Sequence, residues 1–173
     1  TADPAGTSTS SGVWNGSTFD RLAWSNAGGA DSGGGTSTAV DTAITQYVRT
    51  SGISVRAVAV DANNNVWVGG GPLGPTNYVH QLYDTNGTPV PGAGNTFDIN
   101  RGGYGALVDS SGVLWSAGLY TNTLVRHNPA TGVTTPVNNG LQSYGLGTGI
   151  GPDGKPKVWL ATWTHNSVQR FDV

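Results

Sequence analysis

The composition of the chain excludes several classes of protein. It has 173 residues, only 10% of them charged, and a formal net charge of -2, so the basic surface of a nucleic-acid-binding protein is not expected. It contains no Cys, which rules out disulfides and thiolate chemistry, and no apolar run approaches the roughly 18 residues that a membrane-spanning helix needs. The 28 Gly residues, with many Ser, Thr and Asn, favour short strands joined by tight turns over helices.

The first 40 residues differ in composition from the rest of the chain. The stretch "GVWNGSTFDRLAW" places Asn15-Gly16 between two short apolar runs, which is a strong hairpin signal. The later stretch "GGADSGGGTSTA" has the composition of a flexible linker. We therefore predict that residues 1–40 form a Gly/Ser/Thr-rich N-terminal arm with a short hairpin, and that residues 41–173 form a second region.

Residues 41–173 repeat a pattern three times. The segments "VDANNNVWVGG", "VDSSGVLWSAG" and "PDGKPKVWLAT" each place an Asp six residues before a Trp. These repeat positions are Asp61 and Trp67, Asp109 and Trp115, and Asp153 and Trp159. Each Trp stands beside Val or Leu in a predicted second strand, so we expect it to pack between neighbouring sheets rather than to mark a binding site.

Each repeat continues with a third and a fourth predicted strand. The segments "NYVHQLYDTNG", "NTLVRHNPATG" and "NSVQRFDV" align without gaps, which places Gln81, Arg126 and Arg170 at one position. Fourth strands are predicted in "AITQYV", "NTFDIN" and "VTTPV"; the first of these, near 43–48, precedes its own set, and the third set has none. Units of four short strands in about 45 residues are typical of propeller blades.

The sequence therefore predicts an all-β chain of about three four-stranded propeller-type blades, an incomplete propeller. Three blades leave open apolar faces and a free strand edge. Three solutions stay open: the first 40 residues supply a degenerate fourth blade, copies of the chain join into a larger ring or filament by strand exchange, or the chain is a piece of a longer propeller.

The repeats resemble the blades of streptogramin (virginiamycin B) lyase-like propellers and, more loosely, NHL-type repeats. The resemblance rests on "GIGPDG", "VWLAT", "NSVQRFD" and "LVRHNPATGVTTPV", and covers about residues 43–173. It implies a propeller fold and, in the lyases, a His and a Glu that work near a divalent cation on loops at one face. This chain has no Glu, and it carries "WVGG", "WSAG" and "WLAT" where the family pattern reads Trp-Phe-Thr-Glu, which argues against lyase activity.

No catalytic residue, metal site or cofactor is predicted. His80 and His127 fall in or at the end of third strands, where a general base is not expected, whereas His165 lies in the loop "TWTHNS". The segment "GGGPLG" matches a dinucleotide-binding pattern only in letters, because Pro72 interrupts it and no helix follows. We therefore expect that the chain is not an enzyme.

If the chain binds a ligand, propeller geometry points to the loops at one face. Arg56, Tyr104 and Tyr144 are expected where the first strands begin, near the mouth of the channel. The loop residues expected in the same region are Tyr120, Asn122, Trp163, His165 and Asn166. Aromatic and amide side chains suit a carbohydrate or a protein ligand, although they would equally serve to plug the channel.

The favoured expectation is an exported structural subunit of bacterial type, secreted or at the cell surface, that self-associates into an oligomer or filament. Its Gly-rich arm is the expected docking element. The alternatives are a carbohydrate- or protein-binding module and a lyase-like enzyme. No nucleic-acid partner and no membrane span are expected.

Overall fold

A computed structural model describes residues 13–14, 19–20, 48–71, 78–138 and 140–173. The chain divides into two compact units, Thr1–Val48 and Arg49–Val173. In the first unit, β1 (Val13–Trp14) pairs antiparallel with β2 (Phe19–Asp20), on either side of Asn15-Gly16.

The second unit contains three antiparallel sheets that follow one another along the chain. We call them blades 1, 2 and 3. Blade 1 consists of β3 (Ala57–Val60), β4 (Val66–Gly69), β5 (His80–Tyr83) and β6 (Thr96–Phe97). Blade 2 consists of β7 (Gly105–Val108), β8 (Leu114–Gly118), β9 (Thr123–Asn128) and β10 (Val133–Val137). Blade 3 consists of β11 (Ser143–Ile150), β12 (Pro156–Thr162) and β13 (Val168–Asp172).

Within each blade the spatial order of the strands equals their order in the chain, so each blade is a meander. The first strands β3, β7 and β11 lie side by side and bring the three blades together. In the part of the chain that the structure describes, the helical content is one 3-10 turn at Ala93–Asn95, and no helix is long and apolar enough to cross a membrane. The prediction of an all-β chain with propeller-type blades is confirmed.

The repeated Asp residues shape the turn between the first and second strands of each blade. Asp61 Oδ1 accepts hydrogen bonds from the backbone N–H groups of Asn63 (2.8 Å) and Asn65 (2.9 Å). Asp109 Oδ1 accepts the corresponding pair in blade 2, and its Oδ2 accepts a 2.7 Å bond from the indole N–H of Trp115. A short side chain that bonds backbone two and four residues on replaces strand pairing with a turn.

Two of the three repeated Trp side chains are buried between blades. Trp67 is 1% exposed and packs with Leu82 of its own blade and Leu114 of blade 2. Trp115 is 2% exposed, and its cluster includes Val158 and Leu160 of blade 3. These two clusters are the cores of the two blade junctions.

The expectation that the repeated Trp packs between sheets is wrong for Trp159. This side chain is 38% exposed because it lies on the side of blade 3 that faces away from blade 2, where the described residues place no further blade. Its strand neighbours Val158 and Leu160 point the other way and are fully buried. Burial of this position therefore depends on a neighbouring sheet and not on the repeat itself.

The gapless alignment of the third strands is also wrong in blade 1. In the sheets, Trp115 lies opposite Arg126 and Trp159 opposite Arg170, whereas Trp67 lies opposite Leu82 and not Gln81. The third strand of blade 1 is thus shifted by one residue, which moves every side chain to the other face of the sheet. Gln81 consequently lies on the face away from blade 2, where its Oε1 accepts a hydrogen bond from the hydroxyl of Tyr83.

Blades 1 and 2 end with their own fourth strands, β6 and β10. Among the described residues, blade 3 stops at three strands, so β13 is an edge strand. The fourth strand predicted near 43–48 lies outside the described residues apart from Val48.

Candidate functional site

Three side chains occupy one equivalent position at the start of the first strand of each blade. The backbone N–H of Arg56 donates to the carbonyl of Gly69 (3.2 Å), and that of Tyr104 donates to the carbonyl of Ala117 (2.9 Å). Tyr144 holds the corresponding place in blade 3, where a register irregularity in the pairing with β12 falls between Ser143 and Leu146. Because first strands lie side by side, these side chains come together at one end of the blades.

These residues form a continuous row with Trp163. The Arg56 guanidinium lies 5.1 Å from the ring centroid of Tyr104, and its Nη1 donates to the Tyr104 hydroxyl at 3.2 Å. The Tyr104 and Tyr144 rings are 4.9 Å apart at 41°, and Tyr144 and Trp163 are 4.7 Å apart at 30°. We call Arg56, Tyr104, Tyr144 and Trp163 the aromatic stripe.

The two tyrosines of the stripe are linked through their hydroxyl groups. A hydrogen bond that the Tyr144 hydroxyl donates to the Tyr104 side chain favours the protonated form and raises the pKa of Tyr144 above its usual value. The Tyr144 phenol therefore stays protonated at neutral pH and can donate or accept hydrogen bonds. The stripe combines the exposed Trp163 ring with a row of hydroxyl groups and one cation.

A polar loop flanks the Trp163 end of the stripe. The Trp163 N–H donates to the Gln142 carbonyl (3.0 Å), and the Thr164 hydroxyl donates to Gln142 Oε1 (3.0 Å). His165 Nδ1 lies 3.0 Å from the same Thr164 hydroxyl. Trp163 is 56% exposed, so its ring is available at the surface while its backbone is fixed. Sequence reasoning missed Gln142, which carries no motif and precedes the irregular strand β11, and it passed over Thr164 although this residue stands between Trp163 and His165.

The other predicted loop residues are placed less centrally. Asn122 and Asn166 have φ of 49° and 46°, so each occupies the left-handed region at the same point of equivalent loops. Asn tolerates this region better than most residues, so the backbone conformation alone explains why Asn stands at both positions. Tyr120 is 55% exposed in the loop between β8 and β9, outside the contacts that define the stripe. A ligand-binding role for these three residues stays a prediction.

Two histidines are buried in the junction of blades 1 and 2. The Phe97 ring lies between them, 4.5 Å from His80 at 5° and 4.2 Å from His127 at 25°. Burial lowers the pKa of His80 to about 4 and also lowers that of His127. Both rings are therefore neutral at pH 7 and pack as part of the junction.

His80 also bonds Ser116 across this junction. His80 Nδ1 donates to the Tyr78 carbonyl (2.8 Å), so Nε2 is the acceptor for the Ser116 hydroxyl at 2.8 Å. The Ser116 oxygen in turn accepts the N–H of Gly103 at 2.8 Å. The arrangement has the order of a hydrolytic Ser–His pair, but both side chains are at most 1% exposed. No substrate reaches this hydroxyl, and the pair serves to join the two blades.

A buried lysine lies in blade 3, on β12. Lys157, 3% exposed, donates to carboxylate oxygens of Asp153 and Asp172, each at 2.7 Å. It lines a cavity of about 230 Å³ together with Asp109 and Ile150, among others. Across the described ranges, no three His or Asp side chains come together as a metal site requires. The aromatic stripe, in which neighbouring side chains converge on the exposed Trp163, is therefore taken as the candidate functional site.

No family model matches the chain, and a search of curated proteins found no match. Among solved structures, the PQQ-bound aldose sugar dehydrogenase from Streptomyces coelicolor is 14% identical, with a TM-score of 0.46, over 72% of this chain and 43% of that one. Streptogramin B lyase is 18% identical, with a TM-score of 0.42, over 69% of this chain and 40% of that one. This chain has a propeller-type fold, and the resemblance inferred from the repeats is confirmed at that level.

The two neighbours correct one expectation. The prediction that the chain is not an enzyme is wrong as it stood, because both matched structures are enzymes. This chain spans less than half the length of either neighbour, and similarity at these identities assigns neither reaction to it.

Proposed function

We propose that copies of this chain join head to tail through the open faces of blades 1 and 3, which builds a closed ring or a filament of blades. The open face of blade 3 carries Trp159, Arg170 and the 64%-exposed Val168. The open face of blade 1 carries Val58 and Val60, which are 55% and 56% exposed.

The observation that carries this proposal is that a Trp–Arg pair, whose Trp is buried in blade 2, is repeated at an open position in blade 3. In blade 2, the Arg126 guanidinium lies 5.7 Å from the Trp115 ring, and this ring packs against blade 3. In blade 3, Arg170 lies at the same 5.7 Å from Trp159, with no blade against it in the described region. A side-chain pair that stabilises one junction is thus presented a second time on a free face.

The open face of blade 1 matches the surface that such a pair packs against. Val58 and Val60 hold the places that Ala106 and Val108 hold in blade 2, by the pairing of first and second strands. Ala106 and Val108 pack in the cluster that buries Trp67. Blade 1 therefore offers an apolar surface of the kind that receives the Trp of the preceding blade.

Contact between blade 3 of one copy and blade 1 of the next is heterologous. Such contacts close into a ring when the rotation fits and otherwise extend into a filament. Two copies with three blades each would supply six, within the range of four to eight that propellers usually have.

The test is the mass in solution, by size-exclusion chromatography with light scattering across a dilution series. We expect a dimer or larger particles that dissociate on dilution, and a monomer near 17.7 kDa for Val58→Asp. Val133→Asp is the matched control, because Val133 is 58% exposed on the outer strand of blade 2, away from both open faces.

Two results would overturn the proposal. A wild-type monomer at every concentration would mean that other residues of the same chain cover the open faces. An unchanged oligomer in Val58→Asp would mean that the chain associates through another surface.

A further inference from the structure

We infer that the aromatic stripe is a binding site for an acidic oligosaccharide, a chain of sugars that carries uronic-acid carboxylates. This site lies where the first strands begin and is independent of the open faces of blades 1 and 3. It would act in a single copy as well as in a ring.

The first argument is the shape of the stripe. The Tyr104, Tyr144 and Trp163 rings overlap one another obliquely, with 4.9 and 4.7 Å between successive centroids, and Arg56 lies over the Tyr104 ring. The ring face left free is that of Trp163, and the apolar C–H face of a sugar ring stacks on such a face. Trp163, more than half exposed, is the open end of this row.

The second argument is the hydrogen-bonding capacity beside the rings. The phenol groups of Tyr104 and Tyr144, the Thr164 hydroxyl and the Gln142 amide supply both donors and acceptors. Sugars require this mixture because each hydroxyl group both donates and accepts. A ligand that offers only apolar surface would leave these polar groups without compensation when it displaces water.

The third argument is the charge at the far end of the stripe. In the described part of the chain, the salt bridges are those of Lys157, so Arg56 has no carboxylate partner there. The Arg56 guanidinium has five N–H donors, and its described contacts are one bond to the Tyr104 hydroxyl and the ring face beneath it. The remaining donors can bind a carboxylate in the two-pronged manner that arginine favours. A ligand that stacks on Trp163 and reaches Arg56 is therefore expected to be anionic.

The experiment is isothermal titration calorimetry of the full chain with oligosaccharides from polygalacturonate, alginate and hyaluronan, and with cellohexaose as the neutral comparison. We expect at least one uronic-acid oligosaccharide to bind more tightly than cellohexaose. Its affinity should fall as salt is added, because part of it comes from charge.

Variants assign the binding to the stripe. Trp163→Ala should weaken uronate binding roughly tenfold, about 1.4 kcal/mol, through loss of the stacking contact. Arg56→Gln should remove the preference for the uronate over cellohexaose and the salt dependence. Val133→Ala is the control, an exposed apolar residue on the outer strand of blade 2, outside the stripe and its loops, that should leave binding unchanged.

The inference is overturned if no uronic-acid oligosaccharide binds, if cellohexaose binds at least as tightly, or if Trp163→Ala binds like the wild type. Circular dichroism of each variant checks that the blades are intact. Binding of a proline-rich peptide to the stripe in place of the sugars would also overturn it, because such a peptide stacks on aromatic rings without needing a cation.

Discussion

Trp115 and Trp159 occupy the same position in neighbouring blades, and each is covered on one side by an Arg at 5.7 Å. Trp115 is 2% exposed and Trp159 is 38% exposed. Each Trp has an Arg opposite it on the third strand of its blade, and the difference in exposure follows from the sheet that faces Trp115 and is missing beside Trp159 in the described region. A blade therefore presents the Trp that can form a junction, and this Trp becomes buried only where a neighbouring blade packs against it.

The largest expected effect is the difference in stability between the Ala variants of these two tryptophans. Trp115→Ala should reduce the free energy of unfolding by about 3–5 kcal/mol, because it leaves a cavity in a fully formed junction. Trp159→Ala should cost a monomer much less, since this side chain is already partly in water. Urea denaturation at low protein concentration measures both. Equal losses at the two positions would show that Trp159 is also packed against a neighbour within a single copy.

Acid should distinguish the two junctions that the structure describes. His80 and His127 lie in the junction of blades 1 and 2, whereas the cluster between blades 2 and 3 is apolar. Burial lowers the pKa of His80 to about 4, so the unfolded chain binds more protons than the folded chain below the ordinary value of about 6.5. Stability is therefore complete above pH 6.5 and falls as the pH drops towards 4, by about 3 kcal/mol for His80 alone.

The measurement for this prediction is the free energy of unfolding between pH 7 and 4 in the wild type and in His80→Gln. The free energy of unfolding of the variant should fall less steeply between pH 7 and 4, because one buried neutral imidazole has been removed. Ser116→Ala is a useful companion: it removes the hydrogen bond to His80 but keeps the ring buried, so its decline should remain steep. If the free energy of unfolding of the wild type and of His80→Gln changes equally with pH, burial of neutral His80 is not the cause of the acid sensitivity.

The smallest expected difference concerns the turns. Asp109 is 5% exposed and bonds the Trp115 indole as well as the backbone of its turn, whereas Asp61 bonds its own turn and the side chain of Asn65. Asp109→Ala should therefore destabilise the chain by about 1–2 kcal/mol more than Asp61→Ala, because it leaves a buried donor without its partner. Thermal unfolding of the two variants gives the comparison, and equal melting temperatures would show that the indole bond contributes nothing.

Much of the candidate site was predictable from the repeats, and some of it was not. The positions of Arg56 and Tyr104 followed from where the first strands begin. The register of Tyr144 did not, because the irregular pairing between Ser143 and Leu146 has no residue signature. The one-residue shift of the third strand in blade 1 was also missed. The first repeat has extra residues before that strand, so the distance from its Trp could not be used to check the gapless alignment. Gln142 joins the site only through folding, whereas Thr164 follows Trp163 directly in the sequence.

The sequence by itself determined the local structure of this protein. Asp, Asn and Gly at fixed distances specify the turns, and alternating apolar residues specify the strands, because both depend on neighbours only a few residues away. Tertiary structure alone decided which Trp is buried and which side chains meet. Arg56, Tyr104, Tyr144 and Trp163 are separated by up to 107 positions in the printed sequence, yet they touch in one row. Their contact depends on three blades packing side by side, and no local pattern encodes that packing.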